Sequence, residues 1–142
     1  MAPNVDRAAL LIFAGDHGLT ADGVSSYPSA VTAAMVDTML IGKASANAFA
    51  DAVGVEVRVI DAGVARPIAG RARREHGFTD LHVRRGTANA ARESAMTRAE
   101  AEQALSRGFM TAERTARQGF GLIALGEMGI GNTASEIGRA HV

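Results

Sequence analysis

No cysteine occurs among the 142 residues. Its absence excludes disulfides, thiolate metal centres and a cysteine nucleophile, and it fits a reducing cytoplasm. Tryptophan is also missing, and Tyr27 is the only tyrosine. A net charge is lacking too, since Lys plus Arg and Asp plus Glu stand at 15 each. No bulk field therefore draws in nucleic acid or a membrane surface. The local basic clusters, Arg71-Ala-Arg73-Arg74 and Arg84-Arg85, read as solvated surface loops. The apolar run Ala8–Ala14 is far too short to span a bilayer. The opening Met-Ala-Pro-Asn-Val-Asp-Arg carries no signal-peptide pattern. The chain is expected to be soluble and cytoplasmic.

Apolar residues make up 47% of the sequence, enough for one domain with a real core. Ala8-Ala-Leu-Leu-Ile-Phe-Ala14, closed by Gly15, predicts a strand buried on both faces, the mark of a parallel sheet. Val55–Asp61 is a second strand, Leu81–Arg85 a weaker and more exposed one, and Gly119–Leu125 a further buried one. Pro28 suits the first turn of a helix, whose apolar face recurs at Val31, Ala34, Met35, Thr38 and Met39. Gly42 breaks it, and Ala44–Ala52 continues as a second helix. Thr97 with Glu100 three residues on forms a capping box, so Arg98–Gln118 reads as a long amphipathic helix. Strands alternating with helices give an α/β fold, a doubly wound parallel sheet of Rossmann-like type. Ligands gather at the carboxyl ends of such strands. Gly15-Asp-His-Gly, Asp61-Ala-Gly-Val and Gly126–Thr133 all leave strands on that edge.

Gly126-Glu-Met-Gly-Ile-Gly-Asn-Thr133 is read as a strand-to-helix loop that binds a phosphate-bearing substrate. Its glycines let the backbone approach a ligand, and Asn132 or Thr133 suits the cap of the next helix. The loop is no Walker motif, because Gly-Lys-Ser/Thr is missing, and Glu127 spoils a dinucleotide fingerprint. A carboxylate repels phosphate, so Glu127 is free to hold ribose hydroxyls or to stabilise positive charge on a sugar. The competing reading is a plain tight turn with Glu127 solvated. Asp16-His17 fits either a substrate contact or a structural role, with Asp16 capping the loop and His17 bonded to backbone. A metal site is not expected, since His76, His82 and His141 are scattered without a close carboxylate at ligand spacing. No Gly-x-Ser-x-Gly elbow surrounds Ser25-Ser-Tyr-Pro28, which discounts a serine nucleophile. Tyr27 and Met35 offer a flat apolar slot for an aromatic ligand, against ordinary core packing for Met35.

Phe13-Ala-Gly-Asp-His-Gly18, Gly23-Val-Ser-Ser-Tyr-Pro28, Val31-Thr32, Ile60-Asp-Ala-Gly-Val64, Arg85-Gly-Thr-Ala-Asn89, Ala95-Met-Thr97 and Gly126–Thr133 occur in this order. The set resembles the nicotinate-nucleotide–dimethylbenzimidazole phosphoribosyltransferases of cobalamin nucleotide-loop assembly, over nearly all of residues 8 to 135. The resemblance implies transfer of phosphoribose from nicotinate mononucleotide to dimethylbenzimidazole, giving α-ribazole phosphate and nicotinate. It implies a homodimer, small-molecule substrates only, and neither metal nor organic cofactor. By the same resemblance the backbone of Gly129, Ile130, Gly131, Asn132 and Thr133 holds the phosphate, and Glu127 lies near the ribose as an oxocarbenium stabiliser. Asp16, His17, Gly18, Tyr27 and Met35 border the base pocket. Some relatives carry small or amide side chains at the positions of Tyr27 and Met35.

The resemblance covers only the middle of the family's chain. The family's general-base glutamate, a phosphate-holding lysine and an N-terminal helical segment have no counterpart here, so the sheet is expected to be incomplete and the chain alone inactive. Glu136-Ile-Gly-Arg-Ala-His-Val142 breaks the small, apolar helix the family continues with, and it matches what a common sequencing adapter encodes. Residues 1–135 are expected to be a partial phosphoribosyltransferase domain, and 136–142 a non-native tail from adapter read-through. A different class of reading is a non-catalytic nucleotide-binding module, which a native terminus would favour. A nucleotide hydrolase using Asp16 and His17 would need metal ligands.

Overall fold

The computed structural model describes residues 5–68 and 77–135. The 136–142 tail, Arg71, Arg73, Arg74, His76 and His141 lie outside that range. The first strand, β1 (Ala8–Gly15), sets the frame because its residues are apolar on both faces. Alternate side chains point to opposite sides of a strand. Ile12 and Ala14 enter one core with Val59, Val64, Ala33, Val36 and Met39. Ala9 and Leu11 enter a second with Ile60 and Phe120. The continuous apolar run thus serves two cores at once.

The helices α1 (Ala30–Leu40) and α2 (Ser45–Ala52) supply the first core. Between them Gly42 turns the chain at φ 75°, a left-handed value that glycine tolerates. The buried face of α1 is Thr32, Ala33, Val36 and Met39, with Ala34 exposed. This is rotated by about a residue from the face expected from Val31, Ala34, Met35 and Thr38. The loop at 129–131 draws Thr32 inward (below). The chain then returns through β2 (Val55–Gly63), which pairs in parallel with β1 from Ala8↔Val55 to Gly15↔Gly63.

The next strand, β3 (Phe78–Asp80), pairs with Val59–Asp61 of β2. It lies ahead of the expected Leu81–Arg85, which is not a strand. The reason is where the carbonyls go: the Leu81 and His82 oxygens accept from the Arg107 guanidinium at 2.9 and 2.7 Å. Arg107 belongs to α3 (Arg98–Arg117), which lies over the second core near Phe13, Ile60 and Leu81. The helix starts as expected. Thr97 Oγ1 accepts from Glu100 N at 3.2 Å, and Glu100 Oε2 accepts from Thr97 N at 2.7 Å. Replacing Thr97 with Ala is expected to cost about 1 kcal/mol, read as a lowered denaturant midpoint. The same box has a pH signature. Its hydrogen bonds to Thr97, and then Arg84 nearby, hold the Glu100 carboxyl below the usual range. That contribution is present above the ordinary glutamate pKa and is lost as pH falls through the depressed folded value.

β4 (Leu122–Met128) pairs with β1 on its other side, so the all-parallel order is β3-β2-β1-β4. Gly119, at φ 85°, ends α3, and Phe120 is buried with the Arg7 and Arg58 guanidinium groups over its ring, 4.2 and 4.6 Å from the ring centre. These two residues therefore precede the strand, which runs on to Met128. β4 is not the buried strand the sequence led one to expect: Leu125 is 74% exposed. It is the edge of the sheet, with no neighbour beyond it among the described residues. Helices on both faces of a parallel sheet make this the doubly wound α/β class.

Candidate functional site

At the carboxyl edge the three polar segments meet. Gly15 pairs with Gly63, and Asp16 N donates to the Gly63 carbonyl at 3.1 Å. Asp16 is 5% exposed. Its Oδ2 accepts from Ala65 N at 2.7 Å, while Oδ1 has no hydrogen-bond partner among the described residues. Asp16 therefore stitches the end of β1 to the end of β2. Beside it a cleft of ≈ 90 Å³ lies between His17, Gly63, Arg84, Thr87, Met96 and Glu100.

His17 and Gly18 follow on a rigid platform. Thr20 N and Oγ1 both donate to the His17 carbonyl, at 3.1 and 2.9 Å, opening a 3₁₀ turn over Gly18–Asp22. Gly18 N donates to Thr87 Oγ1 at 3.1 Å. A Cβ on Gly18 would stand 2.5 Å from the Ala88 carbonyl carbon, so only glycine lets these segments close up. At the far end of the turn Asp22 accepts from Asn89 and Arg92, which hold its carboxyl below the usual range. Among the described residues the His17 ring bonds no backbone group. Its Nδ1 lies 3.1 Å from Ser135 Oγ and its Nε2 lies 3.7 Å from Glu127 Oε1.

Gly126, Glu127 and Met128 belong to β4, so the turn itself is Gly129–Gly131 and helical geometry starts at Asn132. The expected eight-residue loop is thus half strand and helix. Its placement is tightly built. Ile130 N donates to Thr32 Oγ1 at 3.1 Å, which explains why a fully buried hydroxyl lies on α1. A Cβ on Gly131, at φ 84°, would come within 2.8 Å of Thr20 Cγ2. A Cβ on Gly129 would stand 2.3 Å from the Gly15 carbonyl oxygen, 2.9 Å from Glu127 Oε1 and 3.0 Å from His17 Nε2. Asn132 Nδ2 donates to the other Glu127 oxygen, and Asn132 Oδ1 accepts from Thr133 N at 2.7 Å. Glu127 thus accepts from Asn132 on one side and faces His17 at 3.7 Å on the other.

Tyr27 lies just before α1 with its ring exposed, its N–H donating to Ser25 Oγ. Met35 is half-buried one turn after Thr32. Of the expected site residues, Asp16, His17, Gly18, Glu127 and Gly129–Thr133 come together at the carboxyl edge, where His17, Glu127, Asn132 and Thr133 are linked by direct contacts. Tyr27 precedes α1, and Met35 lies on it one turn after the Thr32 that anchors Ile130.

Two further expectations need correcting. Arg84 and Arg85 are not merely solvated: Arg84 faces Glu100 at 3.6 Å, and Arg85 pairs with Asp61 Oδ2 at 3.0 Å. Asp61, 1% exposed, also accepts from Gly63 N and Val64 N, and so shapes the turn after β2. His82 does have close carboxylates: ligand atoms of Asp61, Asp80 and His82 lie within 4.8 Å of one another. Both Asp61 oxygens are already taken, one by the Arg85 guanidinium, where a metal would have to compete with a fixed positive charge. Thr32, Thr87 and Ser135, which are not among the expected site residues, also bond to these segments. A lone hydroxyl on an otherwise buried helix face was the available signal for Thr32.

Comparison with known proteins points to one family. A family model described as phosphoribosyltransferase matches residues 1–137. The nicotinate-nucleotide–dimethylbenzimidazole phosphoribosyltransferase of Dechloromonas aromatica is 42% identical over 135 residues, 95% of this chain and 38% of the relative. The enzyme of the same name from Ralstonia nicotianae is 44% identical over 134 residues, 94% of this chain and 37% of the relative. The crystal structure of CobT from Thermus thermophilus superposes with a TM-score of 0.85 at 44% identity, covering 92% of this chain and 38% of that one. The chain therefore spans little more than a third of these relatives' length, and within that span it belongs to the nicotinate-nucleotide–dimethylbenzimidazole phosphoribosyltransferase family.

Proposed function

We propose that this chain supplies the phosphoribose-binding half of an enzyme that moves phosphoribose from nicotinate mononucleotide to dimethylbenzimidazole. The observation that carries the reading is the Glu127 carboxylate, fixed between His17 and Asn132 where β4 passes into the glycine turn. In the reaction the bond from ribose C1′ to the nicotinate nitrogen breaks, and its electron pair neutralises the cationic ring. A benzimidazole nitrogen forms the new bond to C1′, and the N–H proton of that ring passes to a base. Positive charge grows on the sugar as the first bond lengthens, and an anchored carboxylate stabilises it without having to reorganise. Glu127 takes that role.

The phosphate sits on the backbone of Gly129–Thr133. The N–H groups of Ile130, Asn132 and Thr133 are each bonded within the chain. A phosphate oxygen therefore takes over from Asn132 Oδ1 on Thr133 N, and glycine at 129 and 131 keeps the approach open. Asp16, His17, Gly18, Tyr27 and Met35 border the acceptor base. The flat ring lies against Tyr27 and Met35, and the complete enzyme works as a homodimer in the cytoplasm without metal or organic cofactor. The general-base glutamate lies in the part of the family that this chain does not span.

The test uses a completed chain, in which residues 5–135 replace the aligned segment of the Thermus thermophilus relative. Supplied with nicotinate mononucleotide and dimethylbenzimidazole, it is expected to release nicotinate and form α-ribazole phosphate. A folded chimera that makes neither product, beside an unaltered relative that makes both, overturns the reading.

A further inference from the structure

Resting on that reading, we infer that His17 is the positioning residue for Glu127 rather than only a wall of the base pocket. The ring is the middle of a chain of contacts from Ser135 through His17 to Glu127 and on to Asn132. A carboxylate only accepts hydrogen bonds, so an Nε2–H is the group the ring directs toward Glu127 Oε1. The Ser135 hydroxyl donates to the bare Nδ1 and fixes that tautomer.

Both ends of this contact are braced by backbone. His17 cannot drift, because its carbonyl is bound twice by Thr20 and the next residue is clamped to Thr87. Glu127 cannot drift, because it lies in register opposite Phe13 on β1. Gly129 fits where any Cβ would touch both Glu127 Oε1 and His17 Nε2. Glycine there is required first by the Gly15 carbonyl oxygen, 2.3 Å from such a Cβ, and then by the pair, independently of any ligand. At 3.7 Å the two groups attract through space without a formal hydrogen bond. A ligand that presses on the glycine turn is placed to close that gap.

The test is a double-mutant cycle in the completed chain. His17→Ala is expected to lower kcat by about ten- to a hundred-fold with KM for nicotinate mononucleotide within about three-fold. His17→Gln, whose terminal amide reaches the Nε2 position, restores most of the rate. His17→Asn, which reaches only the Nδ1 position, does not. In a Glu127→Gln background, His17→Ala costs less than about two-fold, because it acts through the group already lost. Full additivity, or rescue by Asn equal to Gln, overturns the inference while leaving the assignment of Glu127 intact. A readout independent of turnover is the ¹⁵N spectrum of labelled histidine. The neutral His17 ring is expected as the Nε2–H tautomer, and an Nδ1–H ring overturns the inference even if the chimera is inactive.

Discussion

Glu127→Gln in the completed chain is expected to lower kcat by about 10²- to 10³-fold, the usual cost of removing one preorganised charge from a transition state. Gln has the same length and keeps an oxygen for Asn132, so the turn it borders stays in place. What disappears is the negative charge facing the sugar, and that charge matters most when the sugar is most positive. KM for nicotinate mononucleotide should therefore move by less than about three-fold. Steady-state kinetics with both substrates varied decides it. A kcat within about three-fold of the parent would falsify the role given to Glu127, and a rise in KM alone would make it a ground-state contact.

The largest stability loss is expected at Asp61, which no reaction step uses. Its Oδ1 accepts from Gly63 N and Val64 N at 3.0 and 2.8 Å, and its Oδ2 from Arg85 at 3.0 Å. Asp61→Ala leaves two backbone N–H groups and one guanidinium without their acceptor. Breaking a fully buried pair costs about 3–5 kcal/mol. The Arg85 side chain is 36% exposed and regains some water, which places the expected loss near ~3 kcal/mol, at the low end of that range. Asp61→Asn should cost clearly less, because its carbonyl oxygen still caps the turn. Urea unfolding at equal m-value measures both, and a loss below about 1 kcal/mol for the alanine variant contradicts this account.

Much of the frame was legible because it rests on local signals. The apolar run at Ala8–Ala14, the glycine at 42 and the Thr97–Glu100 box each carry their own physics, and each forms as the sequence predicts. The errors fall where distant contacts decide. Leu81–Arg85 has strand composition, but its carbonyls are captured by Arg107 on a helix 25 or 26 residues away. Phe120 looks like a strand residue and is instead a buried ring ahead of the strand, contacted by two guanidinium groups. The site shows the same division. Asp16, His17, Glu127 and the glycines announce themselves by residue type, whereas Thr32, Thr87 and Ser135 matter only through partners 98, 69 and 118 positions off. A hydroxyl gives no hint in sequence of which backbone or ring it will meet.

The open edge at β4 carries one more consequence, which concerns handedness. Crossovers between parallel strands are right-handed in all but a few cases. From β1 to β2 the chain moves one way across the sheet over the face that holds α1 and α2. A strand joining beyond β4 lies in the opposite direction, so its crossover must pass over the other face, where α3 lies. Ile123 points into the core on that face, and Leu125, two residues on along the strand, shares its side. The exposed leucine at the rim thus marks where any helix leading to a further parallel strand has to be laid down.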